Sequence, residues 1–341
     1  MRQEGNDDTA YSGYVKAFVV SEIDGKLECS VRDVALSSTN HDDILVSVEY
    51  SGVNFKDAMV ASAPSRVRRL DSLVGGVDAA GVVEESRDGT IAPGTRVAVH
   101  GGDLGVGRNG GFASKVYAPS RYISVLPSTI STLDAMVIGT AGFTSMASVL
   151  ALEERGLEAG ALILVTGATG GVGSQAVTYL SLRGFSPVAS TGSPAESQWL
   201  LDRGATKVIG RTDVSDRIER VMGSELWDGA IDCVGGDTLH QILRSLRYGA
   251  AVAASGLVSS ADLSTSLFPF ITRGVALLGI DAVEATPSTR ERVWSALGDV
   301  ATRIDFSTLV DRVIPLEEIP EALDDVRRGA TRGRVVVQLS Y

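Results

Sequence analysis

The chain has 341 residues, of which 44% are hydrophobic and 21% charged, and its formal net charge is −11. This composition is typical of a globular protein with a sizeable apolar core, and the length favours two domains of about 150 residues each. The acidic balance argues against a nucleic-acid footprint and against docking on an anionic lipid surface. Two cysteines, Cys29 and Cys233, cannot build a disulfide framework or a four-cysteine zinc lobe, so we expect a reducing, cytoplasmic setting.

The first part of the chain predicts mostly β structure. Residues 1–13 are polar and acidic and predict a loose tail. Residues 14–20 and 44–50 predict strands, the second because apolar residues recur at every second position from Ile44.

Two stretches of this first part predict loops. Residues 101–111 hold six glycines in eleven positions, which predicts a loop that is either flexible or tightly turned. Residues 66–69 carry three arginines and predict a solvated basic loop. No apolar run along the chain reaches the roughly 18 residues that a membrane-spanning helix needs.

From about residue 135 the pattern changes to strands that alternate with helices. The predicted elements are a helix at 136–152, then strands at 187–191, 207–209, 230–234, 250–255 and 275–280. Such alternation predicts a parallel sheet covered on both faces. A helix at 288–301, a strand at 310–314, a helix at 319–328 and a strand at 334–339 complete the chain.

The most informative stretch is a strand, a glycine-rich turn and a helix over residues 162–180. Its glycines are Gly167, Gly170, Gly171 and Gly173. Such glycines allow a tight turn, close approach of backbone N–H groups to a pyrophosphate, and close packing of helix on strand. The helix N-terminus adds partial positive charge, so the turn predicts dinucleotide binding, with Thr169 and Val172 as further contacts. The spacing is G-x-x-G-G-x-G, and a plain glycine-rich turn is the alternative.

The end of the second predicted strand bears on the choice of cofactor. An acidic residue there would hold the ribose 2′-hydroxyl of NAD. This chain has no acid between the strand and Glu196, and instead offers the hydroxyl groups of Thr191 and Ser193. Because hydroxyl groups can donate to a 2′-phosphate, the pattern favours NADPH over NADH.

Taken in order, the motifs resemble the medium-chain dehydrogenase/reductase superfamily over nearly the whole chain. The segments that carry this resemblance are 54–57 (Asn-Phe-Lys-Asp), 75–81, 139–144, the glycine turn, 231–236 and 333–334. Within the superfamily the chain resembles most the acrylyl-CoA reductase branch of the quinone oxidoreductase-like proteins. That closer resemblance rests on segments 165–174, 266–273 and 279–283.

The resemblance implies an α/β fold made of a GroES-like β-rich catalytic domain and a Rossmann domain with a doubly wound parallel sheet. The implied ranges are 1–130 for the catalytic domain, 131–284 for NADP(H) binding, and 285–341 for the return to the catalytic domain. It also implies a cytoplasmic homodimer that acts on a small molecule and binds neither nucleic acid nor membrane.

The resemblance further implies an enzyme without zinc. Zinc-using relatives place a cysteine where Asn54 stands and a His–Glu pair where Val77 and Asp78 stand. The three histidines, His41, His100 and His240, are scattered along the chain. Without a Lewis acid, reduction of an activated C=C bond is favoured over oxidation of a simple alcohol, because it needs only hydride delivery, a polarised carbonyl and a proton source.

The catalytic candidates that the resemblance implies are Asn54, Lys56 and Asp57. Asn54 would orient the nicotinamide ribose or the substrate carbonyl, and either Lys56 or a water molecule would supply the proton. An exposed ion pair between Lys56 and Asp57 is the alternative. Relatives often carry a tyrosine where Phe55 stands, and phenylalanine cannot donate a proton.

The remaining candidates are cofactor contacts. The family usually has an arginine where Ser193 stands, while its second arginine near the phosphate is matched by Arg211, and Arg334 would also approach the cofactor. Nicotinamide contacts are implied at Thr140, Thr144, Val234, Gly256, Leu257, Ile280 and Asp281. For Val234 and Ile280, core packing is the alternative.

Three functions follow as hypotheses. The first is an NADPH-dependent reductase of α,β-unsaturated acyl-CoA thioesters, in which Arg66, Arg68 and Arg69 would meet the CoA phosphates. The second is an NADPH-dependent quinone or enone oxidoreductase. The third is a protein that binds NADPH without turnover, since an intact fingerprint does not prove catalysis.

Overall fold

The computed structural model describes residues 13–36, 43–87, 89–215 and 220–340. The predicted tail at 1–12 and His41 lie outside the described residues. The chain forms two compact units. The first comprises the described residues up to Leu126, Val313–Arg328 and the described residues from Val336, and the second comprises Pro127–Arg312 and Gly329–Val335.

Strands alternate regularly with helices in the second unit, whereas the first unit is mostly strands. Along the chain the strands are β1 (Tyr14–Ile23), β2 (Lys26–Ala35), β3 (Asp43–Val53), β4 (Ser72–Val74), β5 (Asp78–Ser86), β6 (Arg96–His100), β7 (Lys115–Pro119), β8 (Ile123–Val125), β9 (Leu162–Val165), β10 (Ser186–Thr191), β11 (Lys207–Gly210), β12 (Trp227–Asp232), β13 (Leu246–Ala254), β14 (Ala276–Gly279), β15 (Val310–Ile314) and β16 (Arg334–Gln338). The α-helices are α1 (Phe55–Val60), α2 (Thr132–Glu153), α3 (Gly171–Leu182), α4 (Ser197–Leu201), α5 (Thr212–Ser215), α6 (Gly236–Ser245), α7 (Phe268–Arg273), α8 (Pro287–Ala301) and α9 (Ile319–Arg328).

Antiparallel sheets dominate the first unit, which confirms the GroES-like β-rich prediction. One sheet has the order β2-β1-β4, and another runs β15-β16-β3-β5-β6-β8 with β7 paired to β3. In β3 the alternating residues Ile44, Val46 and Val48 are buried, and Leu45 between them is buried too. The sequence reading missed β2 because that strand is mostly exposed and carries little apolar alternation.

The second unit holds six parallel strands in the order β11-β10-β9-β12-β13-β14. Numbered along this unit, that order is 3-2-1-4-5-6, the doubly wound Rossmann arrangement. The core beneath the sheet includes Leu164, Val188, Ala230 and Val252. The predicted parallel sheet is therefore confirmed, and the carboxyl ends of all six strands meet at one edge.

The helix α2 is broken in the middle. Gly139 has φ 51° and ψ −164°, so α2 consists of two helical segments that meet at this residue. The side-chain amide of Gln175 donates to the carbonyl groups of Val137 and Ile138, each at 3.2 Å, and thereby satisfies acceptors left open at the break. An 18-residue window of α2 has a mean hydropathy of 1.7 and is 89% buried, so α2 is as apolar as a membrane span but serves as a core helix.

The predicted domain boundary at 284/285 is wrong. Residues 285–312 belong to the second unit, because α8 buries Val293, Trp294 and Leu297 there. Thr129 also donates to the Gly298 carbonyl at 3.2 Å. The chain returns to the first unit only at Val313.

The glycine-rich loop at 101–111 is tightly turned. Backbone N–H groups of Gly110 and Gly111 donate to the carbonyl groups of Val74 and Gly76, at 2.9 and 2.8 Å. A Cβ on Gly110 would lie 2.1 Å from the Gly76 carbonyl oxygen, so a larger residue does not fit. The sequence left open whether this loop is flexible or tightly turned, and these contacts show that it is tightly turned.

Candidate dinucleotide site and catalytic segment

The glycine turn joins β9 to α3 in the second unit. Gly167 has φ +59°, and the N–H of Gly170 donates to its carbonyl at 3.0 Å. A Cβ on Gly173 would lie 2.4 Å from the Gly167 carbonyl oxygen, so α3 packs against the turn only with glycine there. The first N–H groups of α3, near Gly171 and Val172, have no intrahelical acceptor, so this helix end is suited to an anion.

Arg334 adds a buried cation beside this helix end. Its Nε donates to the Val137 carbonyl at 3.2 Å. Its Cδ lies 3.1 Å from the position that a Cβ on Gly171 would take. One residue earlier, the N–H of Gly333 donates to the Thr169 carbonyl at 2.9 Å. The structure therefore brings Arg334 to the glycine turn, and its approach to the cofactor stays a prediction.

The end of β10 carries the residues that bear on cofactor choice. The buried Thr191 hydroxyl accepts a hydrogen bond from the Ser193 N–H at 3.0 Å. Parallel pairing places Thr191 opposite Gly210, so Arg211 follows directly beside this turn. The Nη2 of Arg211 lies 2.5 Å from where a Cβ on Gly192 would be. Ser193 and the Arg211 guanidinium are exposed, and together they offer a hydroxyl group and a positive charge to a phosphate.

A buried carboxylate organises the turn after β12. Asp232 accepts hydrogen bonds from the Thr166 hydroxyl at 2.6 Å and from the N–H of Gly235 at 2.8 Å. Burial raises the pKa of Asp232, and the hydrogen bond from Thr166 opposes that rise. These contacts fix the half-buried Val234 next to the end of β9. Sequence reasoning missed both Thr166 and Asp232, although an acid directly after a buried strand was the available signal.

The remaining cofactor candidates also follow the carboxyl ends of strands or the break in α2. A Cβ on Gly256 would lie 2.0 Å from the Cys233 carbonyl oxygen, so glycine is required where these two turns meet. The N–H of Ile280 donates to the Ala254 carbonyl at 3.0 Å.

Their side chains differ in what they offer to a ligand. Leu257 and Asp281 are exposed, and Asp281 accepts from the Val283 N–H at 2.7 Å. Directly after the break in α2, the Thr144 hydroxyl donates to the Thr140 carbonyl at 2.7 Å, which commits its hydrogen within the helix. That these residues contact the cofactor stays a prediction.

In the first unit, Asn54 and Asp57 form the start of α1. The side-chain amide of Asn54 donates to the Gly52 carbonyl at 3.1 Å and to the Asp78 carboxylate at 2.9 Å, which uses both of its hydrogens. Asp57 is buried and accepts from the N–H of Asn54 at 2.8 Å and of Val77 at 2.9 Å. Burial raises the pKa of Asp57 to about 7. Both side chains therefore hold the segment in place.

Lys56 is the side chain of this segment that is left to act on a ligand. The suggested pair between Lys56 and Asp57 does not form, because backbone N–H groups engage the Asp57 carboxylate. Lys56 is half-buried and makes no ion pair with any described residue. Its neighbour Phe55 is exposed and has no proton to donate. The ammonium group is thus the donor that the segment offers to a ligand.

The side chains at the positions that hold zinc in zinc-using relatives do not fit that metal. Asn54 donates its amide hydrogens to Gly52 and Asp78, and Val77 is apolar. Zinc prefers a tetrahedral set of thiolate, imidazole and carboxylate donors. Within the described ranges no group of three His, Cys, Asp or Glu side chains has suitable geometry for a metal ion. We therefore derive no step through zinc.

The basic loop at 66–69 has one structural and two exposed arginines. Arg68 forms an ion pair with Glu22 and donates to the Val60 carbonyl at 2.7 Å, so its guanidinium is committed to the fold. The expectation that Arg68 meets a CoA phosphate is therefore wrong. Arg66 and Arg69 are exposed.

Known protein families match parts of both units. The alcohol dehydrogenase GroES-like domain family matches residues 40–128, and the zinc-binding dehydrogenase family matches residues 171–298. YhfP of Bacillus subtilis, named as a quinone oxidoreductase, is 41% identical over 91% of this chain and 94% of its own. Acrylyl-CoA reductase AcuI of Ruegeria pomeroyi is 37% identical over 94% of this chain and 97% of its own.

Solved structures agree with the sequence comparison. The Bacillus subtilis yhfP structure with NAD bound superposes with a TM-score of 0.92 at 39% identity, covering 96% of this chain and 100% of that one. The Salmonella enterica yhdH oxidoreductase in complex with NADP gives a TM-score of 0.91 at 33% identity, covering 95% and 100%. Both structures hold a nicotinamide dinucleotide.

Proposed function

The chain belongs to the medium-chain dehydrogenase/reductase superfamily, and from that premise we propose that it is an NADPH-dependent reductase of α,β-unsaturated acyl-CoA thioesters. It is an oxidoreductase with a nicotinamide cofactor. The proposal adds that hydride goes to the β-carbon of the thioester. Support comes from the 37% identity to a protein named acrylyl-CoA reductase, which spans nearly the whole of both chains.

The observation that carries the choice of NADPH is the Arg211 guanidinium over Gly192. It lies next to the end of β10, the second strand of the parallel sheet, and no acidic residue ends that strand. In doubly wound folds the 2′-phosphate binds at this position. Arg334 and the start of α3 would bind the pyrophosphate of the same molecule, because they place a fixed cation and free N–H groups side by side. These residues fit a phosphorylated dinucleotide.

The chemical step makes two demands on the protein. Bound NADPH supplies the hydride. As the hydride reaches the β-carbon, negative charge develops on the thioester oxygen, and the α-carbon must then gain a proton. Lys56 stabilises that charge by donating a hydrogen bond from Nζ, and the proton comes from Lys56 or from water. Asn54 and Asp57 keep the Lys56 backbone in place through the contacts at the start of α1.

A second candidate substrate class is quinones and free enones. The 41% identity to a protein named as a quinone oxidoreductase favours it. The same residues would serve, since a quinone or enone also develops negative charge on a carbonyl oxygen. A protein that binds NADPH without turnover is the remaining alternative.

A substrate panel tests these functions. We would follow NADPH oxidation by the full-length protein with acrylyl-CoA, crotonyl-CoA and benzoquinone under the same conditions. Acyl-CoA turnover well above benzoquinone turnover supports the proposal, and the reverse order supports the quinone alternative. Binding of NADPH without oxidation by any of the three would leave the non-catalytic function. The same panel with NADH in place of NADPH serves as the cofactor comparison.

A further inference from the structure

A cluster of charged and aromatic side chains lies beside the dinucleotide site without an assigned role. The Trp199 cluster comprises Glu196, Trp199, Arg203 and Arg332. Arg332 forms an ion pair with Glu196, with Nη1 and Oε2 at 3.1 Å. The guanidinium carbons of Arg203 and Arg332 lie 3.7 and 5.2 Å from the centroid of the Trp199 ring. The indole therefore has two cations against it.

Backbone contacts tie this cluster to both ends of the predicted adenosine site. The N–H of Glu196 donates to the Ser193 carbonyl at 3.0 Å, which fixes Glu196 to the turn beyond β10. On the other side, Gly333 donates to the Thr169 carbonyl of the glycine turn at 2.9 Å. Arg332 precedes Gly333 directly. Arg332 is thus linked to the turn proposed for the pyrophosphate through its neighbour Gly333, and to the turn proposed for the 2′ position through its ion pair with Glu196.

Of the two arginines, only Arg332 is available to a ligand. Arg203 donates to the carbonyl groups of Trp199, at 2.6 Å, and Thr308, so it is committed to the fold. The pKa of Arg203 is lowered to about 10, first by burial and then by the charge of Arg332. Arg332 has 46% of its side chain exposed, and among the described residues its guanidinium bonds only to Glu196.

We propose that Arg332 is a second cation for the 2′-phosphate of NADPH and replaces the arginine that this chain lacks at Ser193. The inference rests on the proposed function. A phosphate monoester carries about 1.5 to 2 negative charges near neutral pH, against one for the Glu196 carboxylate. Arginine also binds phosphate through two parallel hydrogen bonds. Arg332 turns from Glu196 to the phosphate when NADPH binds, while Trp199 supports the aliphatic part and the face of the guanidinium.

The role of Glu196 follows from the same geometry. In the free protein it holds Arg332 beside the site. With NADPH bound, its carboxylate lies near the 2′-phosphate and repels it. Glu196 therefore lowers the preference for NADPH, and its neutral replacement should raise it.

Binding titrations with three variants of the full-length protein test this inference. Arg332→Gln and Glu196→Gln change the pair itself. Arg292→Gln is the matched control, because Arg292 pairs with Glu154 in the same unit and the two side chains are 49% and 59% exposed. Calorimetry with NADPH and with NADH gives the dissociation constants without turnover.

For Arg332→Gln we expect about tenfold weaker NADPH binding, with NADH binding within about twofold of the wild type. For Glu196→Gln we expect NADPH to bind about threefold more tightly. The control should match the wild type for both cofactors.

The results separate this inference from the proposed function. If the wild type prefers NADPH and Arg332→Gln keeps that preference, or weakens both cofactors equally, the assignment of Arg332 is overturned and the NADPH-dependent function stands. If the wild type binds NADH as tightly as NADPH, the proposed cofactor itself fails. Unchanged NADPH binding in Glu196→Gln would contradict the role of Glu196.

Discussion

The guanidinium of Arg211 covers Gly192, with Nη2 only 2.5 Å from the place where a Cβ would stand. This contact depends on glycine, because any side chain at position 192 would push the guanidinium away. The pair joins the ends of β10 and β11, which are neighbours in the parallel sheet. In the proposed function this positive charge pairs with the 2′-phosphate, which NADPH carries and NADH lacks.

Replacing Arg211 by alanine should therefore raise the Michaelis constant for NADPH and leave that for NADH almost unchanged. The expected rise is about tenfold, the effect of one lost charge-assisted hydrogen bond. Gly192→Ala should also raise the Michaelis constant for NADPH, because the added methyl group displaces the Arg211 guanidinium without removing it. Steady-state kinetics with both cofactors measures this, and equal effects on the two would remove Arg211 from the phosphate site.

The glycines of the turn should differ in what they tolerate. Gly171→Val should abolish dinucleotide binding, because the added side chain would keep the pyrophosphate away from the backbone N–H groups. The variant should still fold, because its Cβ would meet only the side chains of Arg334 and Ala141, at 3.1 and 3.4 Å. Gly173→Val should instead disturb folding, since its Cβ would lie 2.4 Å from a backbone oxygen. Calorimetric titration and circular dichroism distinguish the two outcomes. Unchanged NADPH affinity in Gly171→Val would exclude this turn from the site.

Lys56→Met should lower the turnover number by on the order of ten- to a thousandfold with NADPH binding nearly unchanged, because the ammonium acts on charge that develops in the transition state. Asn54→Ala is expected to act differently. It removes the hydrogen bonds from the Asn54 amide to Gly52 and Asp78, so it should destabilise the protein by about 1 kcal/mol as well as slow hydride transfer. Single-turnover hydride transfer measures both variants. Wild-type rates in the two together would make this segment a structural turn.

The raised pKa of Asp57 predicts a pH-dependent stability. The folded state holds the proton up to about pH 7, mainly because burial raises the pKa of Asp57, while the unfolded chain releases it near the ordinary aspartate pKa of 3.8. The stabilisation by protonated Asp57 is therefore full below pH 3.8 and is lost as the pH rises through about 7, with a span on the order of 4 kcal/mol.

Comparing the wild type with Asp57→Asn isolates that effect, because other titrating groups cancel in the difference. The asparagine variant should be less stable at every pH, since one of the two backbone N–H donors loses its acceptor. Its deficit should be larger at acidic than at alkaline pH. Urea denaturation across this range measures it, and a constant deficit would show that Asp57 is already ionised in the folded protein.

We also predict a homodimer that pairs through β14. This strand ends the parallel sheet, and its outer edge is open among the described strands. The helix that precedes β14 in the chain, α7, presents exposed apolar side chains at and near its start, including Leu267 and Ile271, which are 70% and 76% exposed. Ile271→Asp should yield a monomer in light scattering, whereas Val221→Asp, at another exposed apolar position of the same unit, should not. A monomeric wild type would contradict the prediction.

The sequence alone determined the fold class and the edge of the sheet where the cofactor candidates gather. Strand and helix periodicity, and the glycines of the turn after β9, are local signals, because they reflect backbone preferences within a few residues. Once the strands are parallel, their carboxyl ends must share an edge. Val234, Gly256 and Ile280, which the family resemblance implied as cofactor contacts, all follow the carboxyl ends of such strands.

Only the tertiary structure decided which polar side chains are free to act. Asn54 and Asp57 looked like catalytic groups next to Lys56, but their partners include Asp78 and Val77, which belong to another part of the chain. Likewise, α8 joins the second unit through the face it buries. Arg332 forms an ion pair with Glu196, although the two residues lie 136 positions apart in the sequence. Such pairings depend on which surfaces meet when the chain folds. A single sequence carries no local signal for them, because hydrogen bonds and burial between distant residues are set by packing.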